Sequence, residues 1–176
     1  VSFLSRHRNL ALNLGVLIVA GVVFVILWFE PHKLFIEETL NEALPTAETT
    51  SAGRSPNSSE DKAADPKVLA SGSFSSLEHE TTGNASIVEI ADGRRFLRLE
   101  DLSTSNGPDL RVYLSEVPAS DDWYAYGERY VDLGELKANR GDQNYEIPKG
   151  LDLSRFESAV IWCRRFTVGF GVAGLS

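Results

Sequence analysis

Methionine is absent from this chain, cysteine occurs once and histidine only three times. Each scarcity removes a class of function. One cysteine, Cys163, cannot close an intrachain disulfide, so in an oxidising compartment its sulfur is buried, bound, reactive or paired with another chain. Tetrahedral zinc takes about four His, Cys or carboxylate ligands. Only His79 lies outside the first forty residues, and no HExxH, CxxC or CxxCH occurs, so no metal site is expected. GxSxG is missing too, and Asp121-Asp122 and the pair Asp101 and Asp109 read as solvated loop acids, so nothing supports a hydrolase. Positive charge is also short. Residues 1–29 hold two arginines and no acid, residues 30–70 are net −4 and residues 71–176 net −6. So acidic a chain repels a phosphate backbone, which excludes nucleic acid as a partner.

What is abundant is unevenly spread. Leu10 to Phe29 read LALNLGVLIVAGVVFVILWF, without a charge. About twenty apolar residues are the length of a membrane-crossing helix, and Trp28 and Phe29 lie where an interfacial anchor belongs. Arg6 and Arg8 precede the run and acids follow it, which predicts a cytoplasmic N-terminus (1–9), a transmembrane helix (10–29) and an extracytoplasmic remainder in a single-pass membrane protein. A cleaved signal peptide is the rival, but the run is too long and Trp28-Phe29-Glu30-Pro31 makes a poor cleavage site. The opening Val1 fits a bacterial GTG start or a chain boundary, and a bacterial source is the expectation.

Residues 30–70 read as a juxtamembrane segment and disordered linker. Leu34, Phe35, Leu40 and Leu44 recur at helical spacing, which allows either a short amphipathic helix or a plain connector. From residue 45 to 66 periodicity is lost among Pro, Ser, Thr, Ala and Glu, a composition that buries too little apolar surface to offset ordering entropy. Asn57-Ser58-Ser59 and Asn84-Ala85-Ser86 match the glycosylation pattern, which matters only in a eukaryotic secretory host.

Residues 71–176 change to short alternating runs: 86–91, 96–102, 110–115, 130–133, 143–147, 159–164 and 166–172. Period-two alternation marks strands with one buried face. Asp92-Gly93, Asn106-Gly107-Pro108, Arg140-Gly141-Asp142 and Pro148-Lys149-Gly150 read as the turns between them. The prediction is an all-β domain, a sandwich or barrel. On strand 159–164, Ala159, Ile161 and Cys163 share one face, and Val160, Trp162 and Arg164 the other. Cys163 beside Arg164 and Arg165 is either a structural core thiol or one whose pKa is lowered by positive charge. His79 is an ordinary turn residue or a ligand partnered with Cys163. Gly169 to Gly174 match GxGxxG, but no helix follows to receive a pyrophosphate, so the glycines are expected to relieve crowding in a terminal strand. Trp123, Tyr124 and Tyr126, with the loop Asn106 to Asp109, form either a contact surface or ordinary packing.

Several pieces in order then suggest a family. Gly72-Ser73-Phe74 and His79 are followed by SNGPDLRVYLS (105–115), Leu133-Gly134-Glu135-Leu136-Lys137, Gly141, QNYEIP (143–148), IWCRRF (161–166) and the glycine-rich end. Residues 71–175 resemble the DM-thirteen electron-transfer domain. The resemblance implies a β-sandwich related to haem-binding DOMON domains, and electron transfer outside the cytoplasm. Its hallmark cysteine matches Cys163, as a naked redox thiol or as the ligand of a prosthetic group such as haem, with His79 as a second candidate; the cofactor is left open between haem and none. One domain without a cytochrome module implies a separate redox partner protein, and an accessory module rather than a stand-alone enzyme. The alternative is a cell-surface binding or assembly module with a structural cysteine.

Overall fold

In the computed structural model, residues 14–25, 37–46 and 65–176 are described. The chain divides into two compact units, Val1–Ile36 and Glu37–Ser176. In the first, residues 14–25 are α-helical (α1). Val16, Leu17, Val19 and Val22 are exposed around this helix. These twelve described residues span about 18 Å, and among the described residues no helix is long and apolar enough to cross a membrane. The remainder of the 10–29 run and most of the linker, residues 47–64, lie outside the described residues.

The second unit is built from strands. In chain order they are β1 (Thr39–Asn41), β2 (Lys67–Ser76), β3 (Thr82–Glu89), β4 (Arg95–Ser103), β5 (Leu110–Ser115), β6 (Tyr130–Glu135), β7 (Arg140–Ile147), β8 (Ser158–Cys163) and β9 (Val168–Gly174). They form one curled sheet in the order β1-β7-β4-β3-β2-β9-β8-β5-β6. Every pairing is antiparallel except β1 with β7. The all-β reading holds, as one sheet continuous through β2. Residues 67–73 of that strand pair with β3 and residues 74–76 with β9.

The curl brings alternate side chains of both halves into one core. Ala85, Ile87, Leu97, Leu99, Tyr145 and Ile147 come from one half; Leu110, Val112, Leu114, Ala159, Ile161, Cys163 and Phe170 come from the other. The second half is covered on its outer face as well. There Tyr113, Val160, Trp162 and Val172 pack with Leu77 and Tyr126, under the long β5–β6 connection, whose Trp123 carbonyl accepts from the Gly169 amide at 2.7 Å. The connection from β6 to β7 is held by a buried side chain. Gln143 Oε1 accepts from the amides of Lys137 (3.2 Å) and Ala138 (3.3 Å) and from the Tyr145 hydroxyl (2.7 Å), while its Nε2 donates to the Ala138 carbonyl at 2.7 Å.

Four expectations need correcting. The amphipathic helix over residues 31–44 fails in its described part: residues 39–41 are strand β1, because β7 offers a free edge and the backbone satisfies it. Glu38 N donates to Asn139 Oδ1 (2.8 Å), and Lys137 Nζ meets the Glu42 carboxylate at 2.9 Å. Second, β2 begins at Lys67, so residues 67–70, which the sequence assigns to the linker, belong to a strand. Third, Arg140-Gly141-Asp142 is not a turn but the start of β7. Gly141 sits at φ 94°, where a side chain would strike the Leu40 carbonyl of the incoming β1. Finally, residues 164–167 form the β8–β9 turn, so the last strand starts at Val168.

Candidate functional site

Cys163 ends β8, flanked in register by Leu110 on β5 and Val168 on β9. The two-face reading of β8 is correct for its core residues: Ala159, Ile161 and Cys163 enter the inner core, and Val160 and Trp162 the outer one. The sulfur is sealed, at 0% exposure. Burial is the largest influence on the thiol and pushes its pKa up, because an anion there would lose its hydration. The backbone amides of Phe166, Arg165 and Asp109 act in the opposite direction, and the Asp109 carboxylate adds to the rise. The expectation that the neighbouring arginines lower the thiol pKa fails. Arg164 Nε is bound to Asp109 Oδ2 at 2.8 Å, so its charge arrives paired with a carboxylate. Cys163 is a core thiol whose pKa burial pushes up.

His79 stands in the β2–β3 turn, partly exposed. Its Nε2 meets Glu78 Oε2 at 2.7 Å, and its ring lies 3.9 Å from that of Phe170. Phe170 belongs to the same apolar cluster as Cys163, and no hydrogen bond joins the imidazole to the sulfur. An axial ligand to haem must offer an open face to a flat macrocycle. Cys163, closed in by Leu110, Val168 and the inner core, offers none, so haem does not fit this site as folded. Among the described residues no group of three or more His, Cys, Asp or Glu could hold a metal ion.

The remaining candidates separate. Trp123 and Tyr124 are 41% and 67% exposed, whereas Tyr126 is buried and its hydroxyl accepts from Ser120 N at 2.8 Å. The acids are not assembled: Asp109 is committed to Arg164, Asp101 lies within β4 rather than a loop, and Asp122 accepts from Tyr124 N. The glycines of the GxGxxG match lie within β9, where a side chain at Gly169 would strike Leu77 and one at Gly171 would strike Thr81. Crowding, not phosphate binding, accounts for them.

Sequence reasoning missed a row of rings on the outer face. Tyr130, at the start of β6, stacks on Tyr113 of β5 with centroids 3.9 Å apart and planes 6° apart. Tyr113 lies 6.2 Å from Trp162 of β8, at 27°. These residues fall at diagonal positions on three adjacent strands, within reach for aromatic side chains. The signal was present as alternation, but the strand order that aligns them was not.

The chain belongs to the family described as Electron transfer DM13, which matches residues 73–175. That membership points to a redox-related role. Comparison with curated proteins and with solved structures finds no match.

Proposed function

We propose that this chain is a membrane-anchored, extracytoplasmic electron-transfer module whose redox role runs through Cys163. The observation that carries the reading is that the family match spans the only sulfur in the chain. With methionine absent, no other residue can perform sulfur redox chemistry. The sandwich-like relation to DOMON domains belongs to the same reading, supported by two sheet halves that share one core. The anchor rests on the uncharged 10–29 run and on α1, which is apolar all round and so needs apolar surroundings. The electron partner is a separate protein, and the folded unit's net negative charge favours a basic docking face on it.

The thiol reading is tested with a mild oxidant that reaches sulfur but not aromatic rings. Ferricyanide, which accepts an electron without bonding to the sulfur, should be consumed by the wild-type chain and not by Cys163→Ala, with both proteins showing a cooperative melt. Equal consumption by a folded Cys163→Ala variant removes the thiol from the mechanism.

The second reading is a binding or assembly module in which Cys163 is structural. It is favoured by the sealed sulfur and by the exposed Trp123 and Tyr124. It predicts that Trp123→Ala loses a partner in pull-downs while Cys163→Ala keeps it.

A further inference from the structure

We propose that Tyr130, Tyr113 and Trp162 form a conduit that carries single oxidising equivalents between the exposed edge strand β6 and the buried strand β8. The inference rests on the redox reading of the domain, but it does not require Cys163 to be the reacting group. Three observations support it. The rings are consecutive and close, at 3.9 and 6.2 Å between centroids, and electronic coupling between π systems falls steeply with separation. All three are of the kinds, phenol and indole, that a strong oxidant can oxidise by one electron. The row also runs from outside to inside: Tyr130 is 39% exposed, Tyr113 1% and Trp162 2%. Its inner end is the residue before Cys163, roofed by Gly127, where a side chain would come within 3.3 Å of the indole. Burial first, then the Tyr130 phenol and the Asp132 carboxylate, hold the Tyr113 hydroxyl protonated well above the ordinary tyrosine range. An electron can therefore leave Tyr113 only together with its proton, and Tyr130 is the adjacent phenol that can receive both.

The step balances as follows. A strong one-electron oxidant, a radical or high-valent metal centre on a partner, takes one electron from Tyr130, whose phenolic proton passes to water. Tyr113 refills the Tyr130 phenoxyl oxygen with one electron and one proton. Trp162 gives one electron to Tyr113, whose hydroxyl is restored by the proton of the neighbouring Tyr130 phenol, and water re-protonates the exposed Tyr130. In sum the oxidant is reduced by one electron, Trp162 becomes a radical cation, and no net proton is transferred.

The test uses the full chain and photogenerated tris(bipyridine)ruthenium(III), with persulfate as terminal oxidant, and reads oxygen addition to each indole by peptide mass spectrometry. Trp162 should be oxidised in the wild type despite its burial. In Tyr130→Phe and Tyr113→Phe, which keep the stacked rings but cannot be oxidised, that oxidation should fall several-fold. Trp123, exposed to the same reagent, should be modified equally in all three. An unmodified Trp162 in the wild type, or equal Trp162 oxidation in the variants, overturns the conduit. If Tyr113→Phe does not fold, Tyr130→Phe decides alone, since residue 130 is at the surface. Cys163→Ala should leave the Trp162 result unchanged, so loss of the thiol reading and loss of the conduit are separate outcomes.

Discussion

At the scale of single residues, burial decides the chemistry of Cys163. Two arginines beside a cysteine in sequence suggest a thiolate, yet the strand ends at Cys163, which is buried in the core, while Arg164 opens the following turn and pairs with Asp109. In the folded chain a membrane-impermeant maleimide should therefore label Cys163 far more slowly than after denaturation; rapid labelling of the native protein would show that the sulfur is open. Cys163→Ala removes one buried sulfur and should cost about 1–2 kcal/mol, read from denaturant melts. Gln143 is the more critical residue for stability. Gln143→Ala strips the side-chain partner from the Ala138 amide and carbonyl and from the Tyr145 hydroxyl's proton, while the Lys137 amide keeps the Tyr145 oxygen. With unsatisfied buried groups costing about 1–3 kcal/mol each, it should destabilise the domain more than Cys163→Ala, by urea titration. The alternation of its strand places Gln143 on the buried face with Tyr145 and Ile147, but its partners come from a loop that only the fold brings back.

At the scale of elements, legibility follows composition. β4 and β5 alternate in sequence and their bounds are close to those read from it, although β5 is buried on both faces. β2 is not legible, because KVLASGSFSS buries only Phe74 fully; it is a strand because it has neighbours on both sides. Gly72 of β2 lies against the carbonyl of Gly174, leaving no room for a Cβ. Gly72→Ala should force the strands apart at about 1–3 kcal/mol, seen as a lower melting temperature. β1 is a strand only because β7 accepts it, and charge fastens it there. Burial tends to raise the Glu42 carboxyl, but Lys137 and the Asn144 amide outweigh it and hold its pKa below the usual value. A depressed carboxylate stabilises the folded state above its unfolded pKa, about 4.3, and that contribution is lost as pH falls through the folded value. Amides of Thr39–Asn41 should thus lose hydrogen-exchange protection on acidification below about pH 4.3, ahead of β3 and β4. Loss at the same pH in all three strands would show that Glu42 does not control β1.

At the scale of the whole molecule, orientation is the remaining prediction. If residues 10–29 anchor the chain with its folded unit outside, protease added to intact cells should remove that unit, and alkaline carbonate should leave the chain in the membrane pellet. A unit degraded only after lysis would place it on the other side. The sequence by itself determined the composition-level facts: one sulfur, an uncharged apolar run, an acidic remainder and strands with a buried face. These are legible because charge, hydropathy and a period of two are local. The tertiary structure alone decided that the sulfur is sealed, that residues 39–41 join the sheet, and that Tyr130, Tyr113 and Trp162 stand in a row. Each depends on which strands become neighbours. Strand order is set by the packing of the whole core, which no local stretch of sequence encodes.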